Sequence, residues 1–90
     1  MTVPTTPITI TVRYFASIRE AVGQGSETLD TAAPTLAALR DELIARGGAY
    51  AASLARGKAV RVALNQDLSD ETAPLAEGSE VAFFPPVTGG

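Results

Sequence analysis

An α+β domain, with one main helix packed on one face of a mixed sheet, is the fold class predicted by three observations. Three segments alternate apolar and polar residues with a period of two: ITITVRYF (8–15), AVRVALN (59–65) and VAFF (81–84). One segment, TLAALRDELIARGG (35–48), carries Leu36, Leu39 and Leu43 at helical spacing. The elements follow the order strand, weak strand, helix, strand, loop, strand, so a hairpin and a crossover helix complete one two-layer unit.

The first strand places Ile8, Ile10, Val12 and Tyr14 on one side and Thr9, Thr11, Arg13 and Phe15 on the other. Phe15 therefore stands among polar residues. Residues 16–25 (ASIREAVGQG) read as a loop or short helical turn ended by Gly23 and Gly25. SETLD (26–30) is a weak second strand, since Leu29 is its one clearly apolar residue. In the helix, Ile44 widens the leucine stripe and Thr35, after Pro34, is the N-cap. Ala38 stands where a capping box needs Glu or Gln. Glu42 and Arg46 are spaced for an i, i+4 pair, and Gly47 suits a left-handed C-cap. AYAASLA (49–55) reads as a second short helix.

The strand at 59–65 turns Val60, Val62 and Leu64 inward, and residues 66–79 read as loop and turn. The last strand turns Val81 and Phe83 inward and Ala82 and Phe84 outward. If the first and last strands are parallel neighbours, Phe15 and Phe84 meet at their C-terminal ends, and Leu68 joins them if its loop folds over that side. Such a patch is either a partner surface or is covered by a loop or the proline turn.

Composition narrows the chemistry. The chain has 90 residues, 46% hydrophobic and 19% charged, which describes one small folded domain. A net charge of −3 argues against nucleic acid and leaves room for a protein partner with a basic face. With neither Cys nor His, the chain has no thiol nucleophile, disulfide, His-ligated zinc site or Ser-His-Asp triad. A catalytic site built from this chain alone is not expected. No apolar run reaches the length of a membrane span, and 1–7 (MTVPTTP) lacks signal-peptide character and reads as a flexible leader. A cytoplasmic location and no membrane partner are expected. The expected organisation is leader 1–7, folded domain 8–84 and extended tail 85–90.

The sequence ends FFPPVTGG (83–90). Pro85 and Pro86 restrict φ and favour an extended path, Val87 and Thr88 also prefer extension, and Gly89 and Gly90 carry no side chain. A thin arm of this kind fits a tunnel that side chains would block. A glycine α-carboxylate is an unhindered acyl group. Activated as an adenylate, it yields a thiocarboxylate with a sulfur nucleophile or an amide with an amine.

These residues, with EGSEVA before them, resemble the ending of the small subunit of molybdopterin synthase, the MoaD family. YFASIREAVG (14–23), TLAALRDEL (35–43) and VALNQDL (62–68) resemble further segments of that family, so the likeness covers roughly 8–90. Leu64 replaces the commoner valine, and Ser79 stands where the family usually has Asp. The resemblance implies a β-grasp, ubiquitin-like sulfur carrier. Gly90 would be adenylated with ATP by an E1-like, MoeB-like adenylyltransferase and converted to a thiocarboxylate. The tail, with Gly89 beside the reacting end, would then enter a MoaE-like large subunit and give sulfur to cyclic pyranopterin monophosphate. It further implies that Phe15, Leu68 and Phe84 form the docking face and that neither a bound cofactor nor a metal belongs to the chain. Arg19 bridges to a partner or pairs on the surface with Glu20 or Asp30. Carriers for thiamin, cysteine or tRNA thiolation, a ubiquitin-like protein modifier, and an interaction module with an inert tail are the competing readings.

Overall fold

The computed structural model describes residues 7–86. The leader, Pro7 apart, and the tail residues Val87, Thr88, Gly89 and Gly90 lie outside the described residues. The chain forms β1 (Ile8–Tyr14), α1 (Ala16–Val22), β2 (Ser26–Thr31), α2 (Leu36–Ile44), α3 (Gly48–Leu54), β3 (Arg61–Leu64), β4 (Asp67–Leu68) and β5 (Glu80–Phe84). The sheet order is β2-β1-β5-β3-β4. Central strands β1 and β5 are parallel, and every other neighbouring pair is antiparallel. This is the β-grasp arrangement, a mixed sheet holding helices on one face.

Alternation accounts for the core. Ile10, Val12 and Tyr14 of β1 and Val81 and Phe83 of β5 are buried with Val62. They cluster with Leu36, Leu39 and Leu43 of α2, Ile18 of α1 and Leu54 of α3. Val12 stands opposite Val81 and Tyr14 opposite Phe83, so the two central strands present their apolar rows in register. The Tyr14 and Phe83 rings stack at 6.5 Å.

Several elements differ from the sequence reading. Residues 16–22 close into a full helix because Ile18 is buried and Gly23, at φ 85°, ends it in the left-handed region. β1 stops at Tyr14; Phe15 stays extended (φ −127°, ψ 154°) but serves as the N-cap of α1. β2 is a complete six-residue strand, because the edge of β1 supplies a ladder from Ile8–Thr31 to Arg13–Ser26 that local propensity did not reveal. Within 66–79, Asp67 and Leu68 form β4 after a two-residue turn. Asn65 and Gln66 both adopt positive φ there, 51° and 73°, as a tight hairpin requires. The Asn65 side-chain oxygen also accepts from the Glu80 N–H at 2.9 Å, tying that turn to β5.

Thr35 caps α2 as expected, its hydroxyl accepting from the Ala38 N–H at 3.2 Å. The C-cap of the helix is Ala45 rather than Gly47; Gly47 (φ 78°) instead forms the joint into α3. The Glu42–Arg46 pair does not form. Arg46 reaches across to Glu27 of β2 at 3.0 Å, and Glu42 accepts from the Thr31 hydroxyl. Tertiary partners displaced a pairing worth only a few tenths of a kcal/mol. Ser79 is buried, and its hydroxyl accepts from the Ala76 N–H at 3.1 Å, so the turn before β5 is closed by serine.

One buried cation joins the helical layer to the loop. Arg40 of α2 donates to the carbonyls of Leu54 (2.7 Å), Ala55 (2.7 Å) and Lys58 (3.3 Å) and to Glu71 (2.8 Å). It satisfies carbonyls at the C-terminal end of α3. Arg40→Ala removes the donor of the buried Leu54 carbonyl and the half-buried Ala55 carbonyl, while Glu71 keeps Arg56, and is expected to cost about 2–3 kcal/mol in chemical denaturation.

Candidate functional site at the open sheet face and the tail root

The sheet face opposite the helices carries the candidate site. Strand register places Arg13, Ala82, Ala63 and Leu68 in one row across β1, β5, β3 and β4. The next row, toward the C-terminal end of β5, pairs Phe84 with Arg61. Phe15 extends this row on the other side: its N–H donates to the Phe83 carbonyl at 3.2 Å, and the Arg13 guanidinium lies 5.2 Å from its ring centre. Phe15, Phe84 and Leu68 thus occupy one face. Phe15 is 39% exposed and Leu68 68% exposed, whereas Phe84 is half-buried. Leu68 arrives there on a paired strand, not a folded-over loop, and neither a loop nor the proline turn hides Phe15 or Leu68.

Phe84 leads directly into Pro85 and Pro86, both half-buried. Pro85 lines a groove on the opposite, helical side with Ile18 and Ala21 of α1, Ala52 of α3, and Lys58 and Val60. The tail root therefore leaves the domain between this groove and the aromatic row. Gly89 and Gly90, the residues expected to carry the chemistry, lie with Val87 and Thr88 outside the described residues.

Arg19 follows Phe15 by one helical turn, its N–H donating to the Phe15 carbonyl at 3.3 Å. Its side chain lies over Gly25, where an added Cβ would meet Nε at 3.2 Å. The surface pair with Glu20 or Asp30 does not form; Asp30 instead accepts from the Thr9 hydroxyl at 2.6 Å. Sequence reasoning passed over three charged neighbours of the aromatic row. Arg13 and Glu80 are 3.6 Å apart on the open face, and Arg61 stands beside Phe84. The signal was present in the alternation, which turns Arg13 and Arg61 away from the core side of their strands.

A second polar cluster holds the body rather than the tail. The Tyr14 hydroxyl donates to Glu27 at 2.7 Å, and Tyr50 and Arg46 converge on the same carboxylate at 3.1 and 3.0 Å. Burial drives the Tyr14 hydroxyl far above its ordinary range, and the Glu27 carboxylate adds to this. Burial would raise Glu27, but hydrogen bonds from Tyr14, Arg46 and Tyr50 outweigh it and hold the carboxyl below its usual range. A depressed folded pKa contributes stability above the unfolded carboxylate pKa, near about 4.3, that is lost as pH falls through the folded value. Acid titration of Glu27→Gln is therefore expected to show a shallower loss of stability below about pH 4 than the unaltered chain.

Fold and surface together define a small β-grasp domain of the ubiquitin-like class, with an open apolar sheet face beside the root of a C-terminal tail. The chain belongs to the ThiS family, whose profile matches residues 12–90. It is 44% identical over 81 residues to the molybdopterin synthase sulfur carrier subunit of Escherichia coli, covering 90% of this chain and 99% of that one. Its structure is similar to that of one chain in the complex of subunits 1 and 2 of the molybdopterin-converting factor from Helicobacter pylori (TM-score 0.65, 27% identity, 92% of this chain and 100% of that chain). It is also similar to SAMP1 from Haloferax volcanii (TM-score 0.72, 25% identity, 91% of this chain and 99% of that chain).

Proposed function

We propose that this chain is the sulfur carrier subunit of a two-subunit molybdopterin synthase. The observation that carries the reading is the 44% identity spanning 99% of the E. coli sulfur carrier subunit. The Gly90 carboxylate attacks the α-phosphorus of ATP on an E1-like, MoeB-like adenylyltransferase, releasing pyrophosphate and forming the acyl-adenylate. A sulfide-level sulfur then attacks the glycine carbonyl, AMP leaves, and the chain carries –COSH. Gly89 and Gly90 have no Cβ to hinder this carbonyl. The loaded tail enters the large subunit, where its sulfur passes to cyclic pyranopterin monophosphate and water returns the tail to the carboxylate; two loaded chains in turn supply the two sulfurs of the dithiolene.

In this reading the chain supplies the sulfur and the address, and the partner supplies the catalytic side chains. ATP is used by the activating partner, and the reaction takes place in the cytoplasm. Phe15, Phe84 and Leu68 dock the body while Pro85, Pro86, Val87 and Thr88 span the distance to the reacting centre. A second reading, a ubiquitin-like modifier, draws on the likeness to SAMP1.

Reconstitution separates the readings. Thiocarboxylated chain with the large subunit is expected to convert cyclic pyranopterin monophosphate to the dithiolene product, whereas the carboxylate form is not. A loaded chain that the large subunit cannot discharge would contradict the molybdopterin assignment and leave the thiamin, cysteine or tRNA pathways. Covalent conjugates on denaturing gels would favour the modifier.

A further inference from the structure

The cations of this acidic chain are divided into two populations. Arg40, buried, and Arg46 and Arg56, on the surface, are neutralised by carboxylates of the chain: Arg40 by Glu71, Arg46 by Glu27, and Arg56 by Asp41 and Glu71. Arg19, Lys58 and Arg61 have no carboxylate within ion-pair distance among the described residues, and all three are exposed. Arg13 is held only by the 3.6 Å contact with Glu80. These four are placed around one feature. Arg61 is the register partner of Phe84, Lys58 shares a groove with Pro85, Arg13 covers Phe15, and Arg19 begins one turn beyond Phe15. They flank the tail root from both sides. The nearby carboxylates are Glu80, engaged by Arg13; Glu20, beside Arg19 in sequence; and Asp70 and Glu71, which line a groove with Arg61, Glu71 being held by Arg40 and Arg56.

We infer that this cationic crescent docks against an acidic rim around the opening that receives the tail on the partner protein. The inference rests on the proposed function, because it needs a partner that takes in the tail. It differs from the basic partner face for which the net charge left room. A chain of net charge −3 turns its unpaired cations toward one end, so its field orients that end toward negative charge. Apolar side chains lie within the crescent, as in a protein interface with an apolar centre and a polar rim. A bare polyanion site has no use for Phe15 and Leu68. Charges at such a rim act mainly on the association rate and within a Debye length, about 8 Å at physiological salt.

The test uses the full chain and the synthase large subunit, with association followed by stopped-flow fluorescence at several salt concentrations. The variants are Lys58→Glu with Arg61→Glu, and the milder Lys58→Gln with Arg61→Gln. Both residues are exposed, and unchanged thermal unfolding certifies each protein. The charge-reversed pair is expected to associate roughly tenfold or more slowly at low salt, with a flattened or inverted salt dependence. The neutral pair is expected to fall between it and the unaltered chain. Association rates and salt dependence equal to those of the unaltered chain would overturn the inference, while leaving the sulfur-carrier reading standing. Failure of the unaltered chain to bind the large subunit at all would instead strike at that reading, and the crescent's proposed docking with it.

Discussion

Deleting Gly90, or adding one residue after it, is expected to abolish sulfur transfer while leaving the unfolding transition unchanged. The chemistry needs a free glycine carboxylate at a set reach from the body; deleting Gly90 leaves the Gly89 carboxylate about 3.5 Å short of it. An added residue turns the Gly90 carboxylate into a peptide amide, which ATP does not adenylate, and gives the arm a side chain to carry into the tunnel. Stability has little reason to change, because the described apolar core ends at Phe83. A change within about 0.5 kcal/mol is expected, as for surface positions generally. Thermal unfolding and a sulfur-transfer assay on the same preparations check both halves. A cooperative loss of stability would mean that the tail packs on the domain.

The second large effect separates two adjacent phenylalanines. Phe83 is almost completely buried and stacks on Tyr14 in the middle of the core. Phe83→Ala removes a ring from a site with no room to collapse, at a cost of ~3–5 kcal/mol in denaturant unfolding. For a domain of this size, that is a large part of the total stability. Phe84 lies on the other face, half-buried beside Arg61. Phe84→Ala is expected to cost markedly less stability and to weaken binding to the large subunit, as is Phe15→Ala. Equal destabilisation by the two adjacent substitutions would place Phe84 in the core and remove it from the docking face.

The contrast between Phe83 and Phe84 was legible in the sequence, because a period of two assigns neighbouring residues to opposite faces. The same rule placed Phe15 opposite Tyr14, although it could not show that β1 ends between them and that Phe15 begins α1. Thr35 was legible as a cap because its hydroxyl acts within one turn. What escaped notice depended on distant partners. β2 exists because β1 offers it a ladder, and Arg46 chooses Glu27 over Glu42 because the sheet edge lies beside α2. β4 had a local signal that was passed over, the Asn65-Gln66 turn. The leucine stripe predicted that α2 packs on the sheet but not that Arg40 would be buried with it, since its acceptors are carbonyls that α3 and the segment after it bring near. At the site, alternation and order bring Phe15 and Phe84 together, but Leu68 reaches that face on β4, which the sequence reading had as loop. The crescent of unpaired cations was not legible, because which arginines are already neutralised depends on the folded ion pairs.

The central claim is that Gly90 carries sulfur, and intact-mass measurement tests it most directly. The chain is incubated with ATP, a sulfur donor and the E1-like partner, then weighed. A mass increase equal to one oxygen replaced by one sulfur is expected, absent when Gly90 is deleted. No increase, with the partner shown to be active on another carrier, would contradict the claim.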